Sequence, residues 1–246
     1  MNTPSKKVAI VTGSSRGIGA AIAERLAHDG FAVVVNYSGS ATPAEALVAK
    51  IKQQGGTALA VQADVSDGAA VKNLFDATNN AFGGVDVLVN NAGIMALAPL
   101  SETDDATFDR LVAINFKGTF NTLREASKHL RDGGRIINFS SSVTALLQPT
   151  YSIYAATKAA VESMTSIFAK ELRGRNITIN AVAPGPTATD LFLKGKPQEV
   201  IERLAKLAPL ERLGEPADIA AVVSFLSGPD GAWINGQTLR VNGGII

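Results

Sequence analysis

Within the octapeptide YSIYAATK at 151–158, Tyr154 stands four residues ahead of Lys158. On a helix the side chains at i and i+4 share a face, so this spacing sets a phenol beside an ammonium. The chemistry open to such a pair is proton transfer. A phenol ionises near pH 10, and a neighbouring positive charge favours the phenolate and brings it toward a useful range. Tyr151, seven positions before the same lysine, is a second candidate on spacing alone. Val161, Thr165, Phe168 and Leu172 continue a largely apolar stripe that faces a core. Lys158 falls on that stripe, so its ammonium points inward, where it is costly unless paired or employed.

These residues need elements to hold them. Short apolar runs at 8–12, 32–36, 58–62, 85–90, 135–140, 178–183 and 238–241 read as strands buried on both faces. Amphipathic helices alternate with them. The first carries Ile18, Ile22 and Leu26 and ends at Gly30, and others span about 43–54, 67–82, 104–130, 152–173 and 216–226. No repeat or linker interrupts the alternation. The expectation is an α/β fold, one domain over 1–246, with a Rossmann-type doubly wound parallel sheet of about seven strands flanked by helices. Ligands of such sheets sit beyond the carboxyl ends of the strands.

The chain of 246 residues carries 23 basic and 22 acidic side chains, a net charge of +1, which offers no footprint for nucleic acid or an anionic membrane. With no cysteine there is no disulfide framework, thiolate nucleophile or cysteine zinc site, and two separate histidines, His28 and His129, make no metal site. The polar start MNTPSKK and the lack of a long apolar run point to a soluble, cytoplasmic protein without a membrane partner.

The strand KVAIVT runs into Gly13-Ser-Ser-Arg-Gly17-Ile-Gly19 and then a helix. Glycines there allow a tight turn and let backbone N–H groups and the helix N-terminus approach a pyrophosphate. The same residues match the GxSxG elbow of serine hydrolases. That reading needs an acid and then a histidine downstream, whereas His28 ends the helix that the loop opens and His129 ends a long helix, where an imidazolium suits the dipole.

With TGSSRGIG at 12–19, NNAG at 90–93, Asn115, Ser141, YAATK at 154–158 and Pro184-Gly185, the sequence resembles the short-chain dehydrogenase/reductase family over nearly its whole length. It is most similar to 3-oxoacyl-[acyl-carrier-protein] reductases and related ketone reductases. The resemblance implies that Tyr154, not Tyr151, exchanges the proton and that Lys158 serves it. It implies that Ser141, flanked by Ser140 and Ser142, hydrogen-bonds the substrate oxygen, and that Asn115 holds a water linking Lys158 to solvent. It assigns a dinucleotide to Gly13, Ser15, Arg16, Gly17, Ile18 and Gly19, to Asn36, Tyr37 and Ser38, to Asp64 and Val65 at the adenine, and to Asn91, Ala92 and Gly93 beside the adenosine ribose. Pro184, Gly185, Thr187 and Thr189 bracket the nicotinamide, and Tyr154 and Lys158 also face the cofactor.

The implied function is an NADPH-dependent reductase that delivers hydride to a 3-oxoacyl or hydrophobic or aryl carbonyl, or oxidises a secondary alcohol in reverse. NADP(H) is expected because 36–40 carries no carboxylate for a ribose 2′-hydroxyl, while Arg16 resembles the basic residue of NADP-preferring relatives. A non-catalytic dinucleotide sensor is the alternative, and intact Ser141, Tyr154 and Lys158 argue against it. Ile94, Met95, Leu97, Leu146, Leu147, Gln148, Tyr151, Phe192 and Leu193 are candidates for a mainly apolar substrate pocket, with a substrate loop at about 186–208. Carrier-protein reductases place arginines at the active-site mouth. Arg175 matches one, but Asp132, beside Arg131, stands where the other is expected, so an acidic carrier should be poorly received. A second small-apolar stripe on the 152–173 helix, Ala156, Ala160 and Ile167, calls for another partner, and a homotetramer is expected.

Overall fold

Valine, isoleucine and alanine dominate the runs that become strands. In the computed structural model, which describes residues 6–246, the first four residues of this kind, Val8–Val11, are buried without exception. The elements follow as β1 Val8–Val11, α1 Gly17–His28, β2 Ala32–Tyr37, α2 Thr42–Gln53, β3 Thr57–Gln62, α3 Gly68–Phe82, β4 Val85–Asn90, α4 Asp105–Leu111, α5 Gly118–His129, β5 Leu130–Phe139, α6 Val143–Leu146, α7 Ser152–Glu171, β6 Thr178–Pro184, α8 Asp190–Leu193, α9 Gln198–Ala205, α10 Pro216–Ser227 and β7 Thr238–Val241. The strands pair in parallel in the order β3-β2-β1-β4-β5-β6-β7. The chain winds outward from β1 to β3 and then returns to start β4 on the other side of β1. Loops leaving β1 and β4 diverge at this switch point and open a crevice at the strand ends.

Alternation along the strands builds a core on each face of the sheet. Ala9, Val11, Val33 and Val35 meet Ile22 and Leu26 of α1, Leu47 and Ile51 of α2, and Ile219 and Val223 of α10. Ile10, Val34, Leu88 and Ile136 lie in the other core with Leu74 and Phe75 of α3 and Leu123 of α5, and Met164 and Phe168 of α7 pack against them. A polar ladder crosses that second core: Asn90 Nδ2 donates to Asn138 Oδ1 and Asn138 Nδ2 to Thr165 Oγ1, both at 2.8 Å. It joins β4, β5 and α7, the three elements that lead to the candidate residues. No helix among the described residues is long and apolar enough to cross a membrane.

The helix expected over 104–130 is three pieces. Asp104 caps α4 by accepting from the Thr107 N–H at 2.7 Å, a π-helical stretch Val112–Lys117 follows, and α5 completes the run. The wider turn carries Asn115 inward, where its side chain takes tertiary partners instead of following an unbroken α stripe. The next strand starts at Leu130 rather than 135, because Leu130 pairs with Val85 before an irregularity restores register at Val87 and Arg135. The short helices α6, α8 and α9 were not expected. The latter two lie within 186–208.

Candidate active site

The glycine loop is built against the end of β4. Gly13 adopts φ +60°, and a Cβ there would stand 2.9 Å from Ala92 Cα; a Cβ on Gly19 would lie 2.5 Å from Asn91 Nδ2. Asn91 Nδ2 donates to the Thr12 and Gly13 carbonyls at 2.9 and 3.1 Å, and the Ala92 N–H to Thr12 Oγ1 at 3.0 Å. Asn36 holds the other side. Its Oδ1 accepts from the Gly13 N–H at 3.1 Å, and its Nδ2 donates to the Val61 and Ala63 carbonyls at 3.2 and 3.0 Å. With the residue 1% exposed, this amide is spent within the protein. Asn36 shapes the loop through its side-chain amide.

What the loop does present is the start of α1. The first helical bond runs from the Ala20 N–H to the Arg16 carbonyl, so the N–H groups of Gly17, Ile18 and Gly19 precede the intrahelical ladder. Arg16 is the N-cap residue, exposed, and gives the helix no side-chain cap. Ser15 is half-buried beside it, and across the crevice Tyr37 is half-buried and Ser38 exposed. Such an end attracts an anion, and no carboxylate lies at 36–40 to oppose a further phosphate. The Asp64 carboxylate accepts from the Ser66 N–H at 2.9 Å and its hydroxyl at 2.7 Å, forming a local turn on the exposed rim, while Val65 is buried against Gly118.

Ser141 follows β5, and Tyr154 and Lys158 lie in the first two turns of α7. The neighbouring serines are already engaged: Ser140 Oγ donates to Glu162 Oε1 at 2.5 Å, and Ser142 Oγ donates to the Ala183 carbonyl while accepting from Asn242 Nδ2, both at 3.1 Å. Ser141 Oγ accepts from the Val143 N–H at 3.4 Å, keeps its own proton uncommitted, and lies close enough to the Tyr154 phenol to influence its pKa. Tyr151 precedes α7, its ring meeting that of Tyr154 edge to face at 6.4 Å between centroids.

Lys158 is 4% exposed. Its Nζ donates to the Phe139 carbonyl at 2.9 Å and stands 5.8 Å from the centre of the Tyr154 ring. Burial lowers its pKa to about 8. Burial pushes Tyr154 the other way, up to about 12; Ser141 lowers it in part and Tyr151 adds to the rise. The expected drift of this phenol toward neutral pKa is therefore absent: the ammonium is bound to a carbonyl instead of the phenolic oxygen, and burial is the largest cause. Tyr154 is a protonated group at neutral pH. Tyr154 keeps partial exposure to the crevice.

Asn115 is fully buried, with Oδ1 accepting from the Ile94 N–H at 2.9 Å and Nδ2 donating to the Ile94 carbonyl at 2.9 Å and to Thr157 Oγ1 at 3.3 Å. Its own carbonyl accepts from Thr119 Oγ1 at 2.9 Å. The residue thus ties the loop after β4 to α7. Gly93 lies in the same corner, where a Cβ would approach Asn115 Oδ1 to 3.3 Å and Lys158 Nζ to 3.5 Å.

Pro184 ends β6, and the Gly185 N–H bonds the Val241 carbonyl at 2.9 Å. Thr187 is buried, with Oγ1 bonded to the Gly185 carbonyl at 2.9 Å, so its hydroxyl is also internal. Thr189 caps α8, and its Cγ2 is 3.7 Å from the position of a Cβ on Gly17. This strand exit therefore overhangs the glycine loop. Ile94, Met95, Leu146, Tyr151, Phe192 and Leu193 are half-buried, whereas Leu97 and Leu147 are exposed. Leu147 and Thr150 have φ of +48° and +72°, outliers for their types that flank Gln148-Pro149.

Other sequence candidates lie elsewhere. His28 ends α1 and sits 3.7 Å from Asp29, and His129 ends α5, so the hydrolase elbow lacks its base. Arg175 lies past the C-terminal end of α7, about 30 Å along that helix from its start, bonded to Asp132 at 2.8 Å and to the Ser127 carbonyl at 2.7 Å. Within the chain it is not at the mouth. No cluster of metal-ligating residues occurs among the described residues. A surface cavity of about 530 Å³ lined by Lys7, Arg25, Asp29, Ser224 and Phe225 opens at the opposite end of α1 and holds none of these groups. Sequence reading missed Glu162, Thr157 and Asn242; only Glu162, one turn after Lys158, left a positional sign.

A family model described as "Enoyl-(Acyl carrier protein) reductase" matches residues 13–246. The chain is 46% identical to a short-chain type dehydrogenase/reductase of Picea abies, covering 97% of this chain and 92% of that one. It is 45% identical to an NADPH-dependent aldehyde reductase-like protein, chloroplastic, of Arabidopsis thaliana, covering 98% and 94%. Among solved structures, the angucycline C-6 ketoreductase LanV with bound NADP superposes with a TM-score of 0.92 at 40% identity, covering 97% and 95%.

The buried ammonium has a stability cost with a defined pH window. Below about pH 8 Lys158 is charged in both folded and unfolded chains, and the cost is full; between about 8 and the ordinary 10.5 only the unfolded chain holds the proton, so the cost fades as pH rises. Lys158→Met should raise stability at pH 7 by roughly 1–3 kcal/mol. Denaturant unfolding should show that gap shrinking toward pH 10. A less stable variant at pH 7, or a gap widening with pH, would contradict the cause assigned here.

Proposed function

We propose, for a chain that belongs to the short-chain dehydrogenase/reductase family, that it reduces a hydrophobic or aryl carbonyl with NADPH. The observation that carries this reading is Tyr154 set beside Ser141, the one of three consecutive serines whose hydroxyl proton is not given to a protein acceptor, and backed by the buried ammonium of Lys158.

The α1 N-terminus, the glycine loop and the overhanging 184–189 segment fit a dinucleotide. Gly13, Ser15, Arg16, Gly17, Ile18 and Gly19 would hold its phosphates, Asn91, Ala92 and Gly93 would wall the ribose side, and Pro184, Gly185 and Thr189 the nicotinamide. When bound, the cofactor supplies the hydride that reaches the carbonyl carbon. Ser141 donates a hydrogen bond to the carbonyl oxygen and steadies the charge that develops there. Tyr154 transfers its proton to the same oxygen, which completes the alcohol and leaves a phenolate. Lys158 places a positive charge against that phenolate, and Asn115 fixes the corner in which Lys158 sits.

With burial holding its pKa up to about 12, Tyr154 carries its proton at neutral pH and gives it up only as hydride arrives and the carbonyl oxygen becomes strongly basic. The half-buried wall of Ile94, Met95, Leu146, Tyr151, Phe192 and Leu193, with the 186–208 loop as cover, suits an apolar substrate. LanV is named as a ketoreductase, and the Arabidopsis relative as an aldehyde reductase. Arg175 is neutralised by Asp132 far along α7, which argues for a free small molecule over a carrier-bound one.

We further propose a homotetramer. Ala156 and Ile167 are exposed on α7, and Trp233 nearby in the chain before β7 is 98% exposed. A separate face carries exposed Phe108, Phe116 and Phe120. Two apolar faces suit two two-fold contacts, hence dihedral closure. Mass photometry should find a tetramer; a stable monomer at assay concentration sinks this.

Absorbance of NADPH is followed over a panel of aryl ketones, 3-oxoacyl thioesters and sugars. Turnover should be greatest with the apolar ketones, and Tyr154→Phe should lower it at least about 100-fold while leaving cofactor binding intact. Arg16→Ala should weaken NADPH by about 10- to 150-fold, the equivalent of a charge-assisted bond of about 1.5–3 kcal/mol, and spare NADH. Higher efficiency with NADH in the parent protein, or an active Tyr154→Phe, refutes the reading.

A further inference from the structure

The loop that carries Ser141 and the helix that carries Tyr154 are separate elements, and proton transfer depends on their separation. Glu162 lies on α7 one turn beyond Lys158 and two beyond Tyr154. Its Oε1 accepts from Ser140 Oγ at 2.5 Å and from Thr144 Oγ1 at 3.0 Å. Those two hydroxyls stand on either side of Ser141, one before it and one three residues after. The Thr144 hydroxyl also lies 3.0 Å from the Ser141 carbonyl, so its single proton is shared between that carbonyl and the carboxylate at the turn around Ser141. No lysine or arginine side chain comes within salt-bridge distance of this carboxylate among the described residues; its interactions are with the two hydroxyls.

We infer that Glu162 is a positioning residue, a carboxylate clamp that grips the serine loop on both sides of Ser141 and sets its hydroxyl against Tyr154. This deepens the carbonyl-reductase reading and rests on it. Glu162 touches neither the phenol nor the glycine loop, so its effect runs through Ser141 alone. A small displacement of an oriented donor has a large kinetic effect, since about 1 Å of misplacement costs on the order of 100-fold in rate. Binding of the dinucleotide, built on the other side of the crevice, does not depend on the clamp.

The full chain is assayed with NADPH and an aryl methyl ketone, with cofactor affinity read from NADPH fluorescence. Glu162→Ala should lower kcat by about 10-fold or more with NADPH affinity within about 2-fold, because transition-state positioning and not ground-state binding is lost. Glu162→Gln keeps an oxygen that accepts both hydroxyls and should recover kcat to within about 5-fold of the parent. The double variant Ser140→Ala/Thr144→Val removes the same two bonds from the loop side, gives an independent route should Glu162→Ala fail to fold, and should show the same kcat loss. The clamp is overturned if Glu162→Ala or the double variant turns over within about 2-fold of the parent. It is equally overturned if Gln is as impaired as Ala, or if NADPH affinity falls in step with kcat. Tyr154→Phe is run alongside: if that variant remains active, the carbonyl-reductase reading itself has failed and the clamp with it, whereas an inactive Tyr154→Phe beside an unimpaired Glu162→Ala isolates the failure to the clamp.

Discussion

A lysine ammonium set 4% exposed beneath the start of α7 is the constraint to which the surrounding structure answers. Burying that charge is unfavourable, and a single carbonyl, that of Phe139, receives it in the protein. The carbonyl belongs to the last residue of β5, so the strand that delivers Ser141 and the helix that delivers Tyr154 meet at Lys158. The Asn90–Asn138–Thr165 ladder holds these two elements together with β4 a layer deeper. An apolar residue at 158 would pack more favourably; the charge is retained for its position next to a phenol. Desolvation moves the two groups in opposite directions, the amine toward easier deprotonation and the phenol toward a more tightly held proton, so the phenol is in its protonated form at neutral pH.

The rest of the crevice is assembled by amides and hydroxyls used as ties. Asn36, Asn91 and Thr12 fix the glycine loop between β2 and β4, Asn115 fixes the loop after β4 to α7, and Asn242 and Glu162 fix the two flanks of Ser141. The ties of Asn36, Asn91, Thr12 and Asn115 satisfy backbone groups that loops of this kind would otherwise leave unpaired, whereas Asn242 and Glu162 engage side-chain hydroxyls. The consequence for function is selective freedom. Where three serines run together, the outer two give their hydroxyl protons to protein acceptors and the central one keeps its own; where a loop opens α1, the side chains below it are bonded and the helix N–H groups and Arg16 remain outward.

Much of this was legible in the residues, and the reasons are physical. Strands buried on both faces leave unbroken apolar runs, so the sheet and its switch point could be anticipated. The four-residue spacing of Tyr154 and Lys158 is a helical period, and an apolar stripe continuing to Leu172 already pointed the lysine inward. The π-helical stretch at Asn115 was not legible, since its cause is a bond to Ile94, remote in sequence. For the same reason Asn36 and Thr187 could be named but not interpreted: an amide or hydroxyl that binds a ligand and one that braces a loop are the same residue type. The direction of the Tyr154 pKa was misread because spacing reveals a neighbouring charge, whereas burial, which spacing does not reveal, is the larger effect here.

The central claim is that Lys158 carries a desolvated, chemically tuned ammonium. Its most direct test is an NMR titration of the lysine side chains, labelled at the carbon next to Nζ, with the Lys158→Met protein used to assign the resonance. The account predicts one lysine resonance titrating near pH 8, well below the ordinary 10.5, and absent from the variant. If the Lys158 resonance instead titrates with the others, the ammonium is not held apart by burial, and the arrangement of Ser141, Tyr154 and Glu162 around it needs another explanation.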